Sequence, residues 1–189
     1  MGFPNASFDV VLSGFIAWSD CFDFIQGGFT RPDKKSKEIW RVLKEGGRVV
    51  IAAWERQEDL HWMEDAFVRN FPALLEDKEY IEQRPIGMAK ENMEGYRVIL
   101  QSAGFSNIEV FNEQAEFVSA TEEDWWEQMR VVGWDELFKK VNNDGTETLA
   151  RIKNAIFREL QTYKHHDGIH FSKSVFIITG RKQVIVEKV

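Results

Sequence analysis

Three histidines lie close together near the carboxyl end of the sequence, with an aspartate among them. His165, His166 and His170 carry nitrogen ligands for zinc, and Asp167 carries a carboxylate. Zinc needs three or four side chains that converge on one point, and adjacent residues in a glycine-containing loop rarely do so. We therefore interpret this segment as a solvated loop and predict no metal site.

Two further arrangements could carry acid–base or nucleophilic chemistry. His61 and Asp65 are four residues apart in a predicted helix, as a general base and the carboxylate that orients it could be. The same spacing is common in pairs on exposed helix faces, and that interpretation is favoured. Cys21 is the only cysteine. No histidine or lysine adjoins it to lower its pKa, so we predict a buried thiol. The sequence therefore identifies no catalytic residue.

Aromatic residues are the candidates for binding a substrate. Trp18, Trp54 and Trp62 could line a pocket above the predicted sheet, because aromatic side chains commonly line ligand sites. Packing in the core or in a helical cap is the alternative for each, and the usual burial of tryptophan favours it.

One βαβ unit must position the residues near the amino end of the chain. FDVVLSG predicts a strand over Phe8–Gly14, and KEIWRVLKEGG predicts a helix that Asp33 caps and two glycines end. RVVIAAW then predicts a second strand. Both strands are apolar at nearly every position, as in a parallel sheet that helices cover on both faces. Ser13 and Gly14, at the end of the first strand, allow a ligand to approach the backbone.

The rest of the chain continues the alternation of helices and strands. Periodicity and capping residues predict helices over 58–71, 92–103, a segment from Thr121 and 147–163, and strands over 108–118 and 171–180. The stretch 73–91 has weak periodicity and predicts either a cap or a loop. At 189 residues, the chain is expected to form one domain with one sheet.

The segments FPNASFDVVLSG and IWRVLKEGGRVVIAAWE resemble the central part of class I S-adenosylmethionine-dependent methyltransferases of the UbiE-like type. The resemblance implies a Rossmann-like α/β sheet in which the last strand, with FSKSVFIITGRK, lies between the second and third. It also implies S-adenosylmethionine as the cofactor, with Ser13, Gly14 and Phe15 along its site. Methyl transfer to a small molecule is the implied activity, and cap segments are expected near 60–91 and 121–163.

The resemblance covers only the second half of that fold. The glycine-rich strand turn and the ribose-binding carboxylate that open the family are absent from this sequence, so the resemblance implies an incomplete cofactor site and a truncated form. The Phe8–Gly14 strand would then be an exposed apolar edge, and such edges recruit another chain. A homo-oligomer through that edge, or a non-catalytic interaction module, is the alternative.

Composition and charge limit the partners and the compartment that we expect for this protein. The net charge of −7 disfavours binding to phosphate backbones, so no nucleic acid is expected. No apolar run approaches the roughly 18 residues of a membrane span, and the first residues lack the pattern of a signal peptide. A single cysteine fits a reducing compartment. We expect a cytoplasmic protein that does not enter a membrane.

Overall fold

The computed structural model describes residues 2–70, 91–135, 138–139, 141 and 146–183. The chain divides into two compact units. Unit 1 comprises Met1–Arg56, Lys90–Gln114 and Ser174–Val189, and unit 2 comprises Gln57–Ala89 and Ala115–Lys173. The single domain and its two cap segments stay predictions. The stretch 73–90 lies outside the described residues.

Strands and helices alternate along the chain. The strands are β1 (Phe8–Gly14), β2 (Phe22–Asp23), β3 (Gly28–Phe29), β4 (Leu43–Gln57), β5 (Phe105–Ser119), β6 (Lys164–His165) and β7 (Gly168–Lys182). The helices are α1 (Lys35–Val42), α2 (Glu58–Asn70), α3 (Met93–Ser102), α4 (Glu122–Met129) and α5 (Thr146–Leu160). A π-helical turn, Arg130–Trp134, follows α4, and a 3₁₀ turn, Gln161–Tyr163, follows α5.

The strand order of the main sheet confirms the predicted α/β fold. It runs β1–β4–β7–β5, with the last strand between the second and third as the resemblance implied, and β6 pairs with β7. β1 and β4 are parallel, and Val11 and Ser13 lie opposite Val49 and Ile51. The crossover through α1 therefore forms the predicted parallel βαβ unit.

Helix α1 begins as predicted and ends earlier. The Asp33 carboxylate accepts hydrogen bonds from the backbone N–H groups of Lys35 and Ser36, at 2.9 and 3.1 Å. The helix ends at Val42 rather than at the glycines, because Leu43 is already extended and fully buried. A Cβ on Gly47 would lie 2.8 Å from the Lys44 carbonyl oxygen, so this glycine allows a close backbone approach within β4 instead of capping the helix.

The core of unit 1 lies on one face of the sheet. The residues that fill it from the strands are Val49, Ile51, Ala53, Phe176 and Ile178, and those from α1 and α3 are Ile39, Tyr96, Ile99 and Leu100. The opposite face carries Val10 and Leu12, which are 52% and 75% exposed. Among the described residues, the prediction that helices cover both faces of the sheet is therefore wrong for β1.

Unit 2 has a separate core made largely of aromatic side chains. Trp125, Trp134, Phe67 and Phe171 are nearly fully buried in it, together with apolar residues of α2 and α5. Thr121 caps α4 as predicted, since its hydroxyl oxygen accepts a hydrogen bond from the Asp124 N–H at 3.0 Å. This core does not draw on the residues that fill unit 1, so each unit buries its own apolar side chains.

Two segments outside the predicted helices and strands contain short strands. After β1, residues 22–29 form a small antiparallel hairpin, β2–β3, that the irregular aromatic sequence did not indicate. Near the carboxyl end, Lys164 and His165 pair with Ile169 and Gly168, so the histidine segment is a tight hairpin. Residues 164–167 are exposed, as predicted for a solvated segment. Gly168 has φ of 146°, a conformation that favours glycine.

Candidate functional site

The carboxyl end of β1 is the part of unit 1 where small and aromatic residues meet. Ser13 is buried, and its hydroxyl oxygen has no hydrogen-bond partner among the described residues. Gly14 is exposed, and a Cβ built on it would meet no atom within 4 Å. The open space over Gly14 and the unpartnered Ser13 hydroxyl are features of a position beside a ligand.

Phe15 leaves the strand in a conformation that few residues other than glycine adopt. Its φ is 53°, and its N–H donates a 2.7 Å hydrogen bond to the Ala52 carbonyl of β4. The ring stacks on Trp54 with centroids 4.5 Å apart, yet Phe15 remains 52% exposed. Unusual backbone conformations persist where the surroundings impose them, and they cluster at binding sites.

A cavity of about 440 Å³ adjoins the same strand end. Its lining residues come from β1, the following loop and the start of α1: Ser13, Ile16, Trp18, Lys34, Lys35, Glu38 and Ile39. The cavity combines apolar walls with a few charged groups, which is the usual composition of a small-molecule site. The structure thus brings together Ser13, a predicted cofactor residue, and Trp18, a predicted substrate residue.

Lys35 fastens the loop that follows β1 to the first turn of α1. Its Nζ donates to the Ala17 carbonyl at 2.5 Å and to the Asp20 carboxylate at 2.7 Å. The hydrogen bond from Lys35 is the main cause that lowers the pKa of Asp20. The same ammonium lies 5.5 Å from the centre of the Trp18 ring, within reach of a cation–π interaction.

Trp18 is held from the other side by Glu91 and Tyr96. The Trp18 backbone N–H donates to Glu91 Oε1 at 3.0 Å, and the Tyr96 hydroxyl donates to Glu91 Oε2 at 2.5 Å. Burial, followed by the bond to Glu91, raises the pKa of Tyr96, so the phenol stays protonated. Trp18 is fully buried, and its indole N–H has no partner within the described ranges.

Cys21 lies beside these residues and is not activated. Its Sγ donates to the Trp18 carbonyl at 3.4 Å, and the thiol is buried. Burial raises the pKa of Cys21 to about 11, and the nearby Asp33 and Asp20 carboxylates add to the effect. The thiolate is therefore scarce at neutral pH, in agreement with the predicted buried thiol.

The remaining candidates lie in unit 2. Trp62 is half-buried, with its ring centroid 5.5 Å from that of Trp125 and 5.6 Å from that of Tyr163. His61 Nδ1 hydrogen-bonds to the Gln57 carbonyl at 2.7 Å, where the sequence suggested Asp65 as a partner. Among the residues that the structure describes, no group of three or more His, Cys, Asp and Glu side chains could hold a metal ion.

Sequence reasoning missed the contributions of α1 and α3 to this site. Neither Lys34 nor Lys35 was predicted as a site residue, although their spacing to Glu38 and Ile39 places the four on the first two turns of one helix face. No local sequence pattern indicated that Glu91 belongs to the site, because it lies 73 positions from Trp18 in the sequence. Only the fold shows that it supports the loop.

The residues present fit one side of a cofactor site. Ser13 offers an unpartnered hydroxyl, Gly14 leaves its backbone open, and Phe15 and Trp54 present an aromatic surface. Such a surface attracts a sulfonium or ammonium cation, since the faces of aromatic rings are electron-rich. Whether Ser13, Gly14, Phe15, Trp18, Trp54 and Trp62 bind ligands stays a prediction.

Comparisons with known proteins point to methyltransferases. No family model matches the chain. A stretch of 61 residues is 39% identical to 2-methyl-6-phytyl-1,4-hydroquinone methyltransferase of Synechocystis sp., and it covers 31% of this chain and 16% of that enzyme. This likeness agrees with the class I methyltransferase resemblance predicted from the sequence.

Solved structures align loosely with nearly the whole chain. A candidate methyltransferase from Bacillus halodurans is 19% identical with a TM-score of 0.47, over 97% of this chain and 68% of that one. The YcgJ protein of Bacillus subtilis is 16% identical with a TM-score of 0.46, over the same shares. Because these TM-scores are low, the fold assignment depends on the strand order of the sheet instead. None of the described helices is long and apolar enough to cross a membrane.

Proposed function

We propose that this chain takes part in S-adenosylmethionine-dependent methyl transfer to a small molecule, with the cofactor along Ser13, Gly14 and Phe15. The single observation that carries the proposal is the geometry at the end of β1. There a buried unpartnered hydroxyl, an open glycine and an aromatic ring stacked on Trp54 follow one another along the chain from Ser13 to Phe15. The 61-residue likeness to a curated methyltransferase supports the chemical class.

Little acid–base machinery is needed for such a reaction. S-adenosylmethionine, when bound, supplies a methyl group already activated by a sulfonium sulfur. The residues of this chain would then bind and orient: the Phe15 and Trp54 rings face the cation, and Ser13 hydrogen-bonds a polar group. Trp18 and the apolar walls of the cavity would hold the acceptor and exclude water.

The proposed site is shared with polypeptide that joins the open edge of β1. In the described part of the sheet, β1 pairs with β4 on one side and ends the strand order on the other. Val10 and Leu12 are exposed on that strand, and exposed apolar edges favour the addition of a further strand. The strands that the resemblance places before β1 would occupy this position and complete the cofactor site.

Titration calorimetry with S-adenosylmethionine and S-adenosylhomocysteine tests the proposal. We expect binding by the chain that weakens about tenfold or more in Gly14→Val and Phe15→Ala, because each change removes space or aromatic surface at the site. Phe3→Ala is the matched control, since Phe3 is also half-exposed but contacts Phe8. Equal affinity in all variants would contradict the proposal, and absence of binding would show that this chain does not bind the cofactor by itself.

A second candidate function is a non-catalytic interaction module that pairs through β1. The exposed side chains of Val10 and Leu12 favour it independently of any ligand. This candidate predicts self-association that rises with protein concentration and is reduced in Leu12→Lys. Light scattering during size-exclusion chromatography measures it, and a monomer at every concentration would count against a homo-oligomer.

A further inference from the structure

His170 on β7 lies between two carboxylates in unit 2. Its Nδ1 is 3.1 Å from Glu116 Oε1 on β5, and its Nε2 is 2.8 Å from Asp167 Oδ1 in the β6–β7 turn. The side chain is 13% exposed. A neutral imidazole has one N–H and can donate only one of these bonds, whereas an imidazolium donates both. The geometry therefore matches the protonated ring.

Other titratable groups around His170 belong to the same hairpin. The His165 ring on β6 lies 4.4 Å from the His170 ring, between centroids. His166 is 95% exposed, with Nδ1 3.6 Å from Asp167. The bonds to Asp167 and Glu116 raise the pKa of His170, and the bond to His170 lowers the pKa of Asp167. Within the described ranges, the titratable groups shown beside His170 are thus these two carboxylates and the His165 imidazole.

The hairpin turn lies tightly against the end of β5. A Cβ on Gly168 would lie 2.3 Å from the Ser119 carbonyl oxygen, so only glycine permits this approach. His170 adds a second attachment to β5 through Glu116. Both attachments join the β6–β7 turn to the same strand, and only the second one involves a group that titrates near neutral pH.

We infer that His170 acts as a pH-dependent clamp that fastens the β6–β7 turn to β5. When the ring is protonated, its two N–H groups hold both carboxylates. When the ring loses a proton, one of these two bonds is lost and the turn loosens. Because the folded chain raises the pKa of His170 above its ordinary value of 6.5, the clamp contributes fully below that value. Its contribution is lost as the pH rises through the raised pKa.

A titration of the histidine ring signals by NMR tests the protonation state. We expect His170 to titrate above its ordinary pKa of 6.5. Glu116→Gln should lower the His170 midpoint, because it removes one charge while keeping an acceptor. A midpoint for His170 at or below 6.5, or a midpoint unchanged in Glu116→Gln, would overturn the inference.

Hydrogen exchange tests the clamp itself. Protection of the amides from Gly168 to His170, corrected for intrinsic exchange, should fall about three- to tenfold between about pH 6 and about pH 8.5. In His170→Gln the protection should be low and independent of pH, and in the control His166→Gln it should follow the unmodified chain. Protection that does not change with pH in the unmodified chain would contradict the clamp.

Discussion

The two units of this chain bury their apolar residues in different ways. Unit 1 places its core on one face of the sheet and leaves Val10, Leu12 and Phe15 at least half exposed. Unit 2 packs its aromatic residues against one another and adds ion pairs around them. Unit 1 thus leaves apolar side chains of β1 uncovered, whereas the buried aromatic residues of unit 2 cover one another.

One ion pair from each unit illustrates how much burial can differ. In unit 2, Lys173 Nζ lies 2.6 Å from the Asp59 carboxylate, with 11% and 3% of the two side chains exposed. Lys173 also lies 5.0 Å from the centre of the Phe117 ring. In unit 1, the pair between Lys44 and Asp9 is largely exposed and is expected to contribute little. Stability differences between the two units should therefore be measurable by single substitutions.

The largest effect is expected from breaking the buried pair of unit 2. Asp59→Ala leaves the Lys173 ammonium buried without its carboxylate, and this should lower the free energy of unfolding by about 3–5 kcal/mol. Asp9→Ala, the control in unit 1, should cost less than about 1 kcal/mol. Denaturant unfolding measures both. Similar losses in the two variants would remove the contrast between the units.

An intermediate effect should separate the two faces of the sheet in unit 1. Ile51→Ala empties a fully buried position and should cost about 2–4 kcal/mol. Leu12→Ala, on a side chain that is 75% exposed, should change the free energy of unfolding by no more than about 0.5 kcal/mol. A loss of several kcal/mol in Leu12→Ala would show that the face is covered in solution.

The smallest effect is expected in the dependence of stability on acid pH. The bonds from Lys164 and Gln161 to Glu122 in unit 2 hold its pKa at about 2, below the ordinary 4.5. The stabilisation is therefore present above pH 4.5 and is lost as the pH falls toward 2. Glu122→Gln should flatten this part of the acid dependence in thermal unfolding between about pH 6 and about pH 3. Glu113→Gln, at an exposed position on β5, should leave the curve unchanged.

Much of the fold could be predicted from local sequence patterns. Alternation and apolar runs indicated β1, β4 and β7, because a strand buried in a sheet needs apolar side chains at nearly every position. Asp33 and Thr121 marked the starts of α1 and α4, since their side chains can accept from the first free N–H groups of a helix. These signals depend on neighbours within a few residues, and so they are visible without the fold.

The candidate site was only partly predictable. The small residues at the end of β1 indicated a ligand position, but Glu91 and Lys35 entered the site through contacts that no local pattern encodes. The histidine segment shows the same limit, because His170 meets Glu116 from a strand far away in the sequence. The spacing of residues along the sequence does not show which side chains tertiary packing brings together.

The amino-acid sequence by itself determined the α/β class, the starts of two helices and the likeness to methyltransferases, because these depend on short-range patterns of size, charge and polarity. Only the tertiary structure decided that helices cover one face of β1, that Phe15 stacks on Trp54 and that the histidines form a hairpin. The physical reason is that burial and pairing depend on which distant segments meet. The local sequence of a strand is the same whether its faces are covered or open.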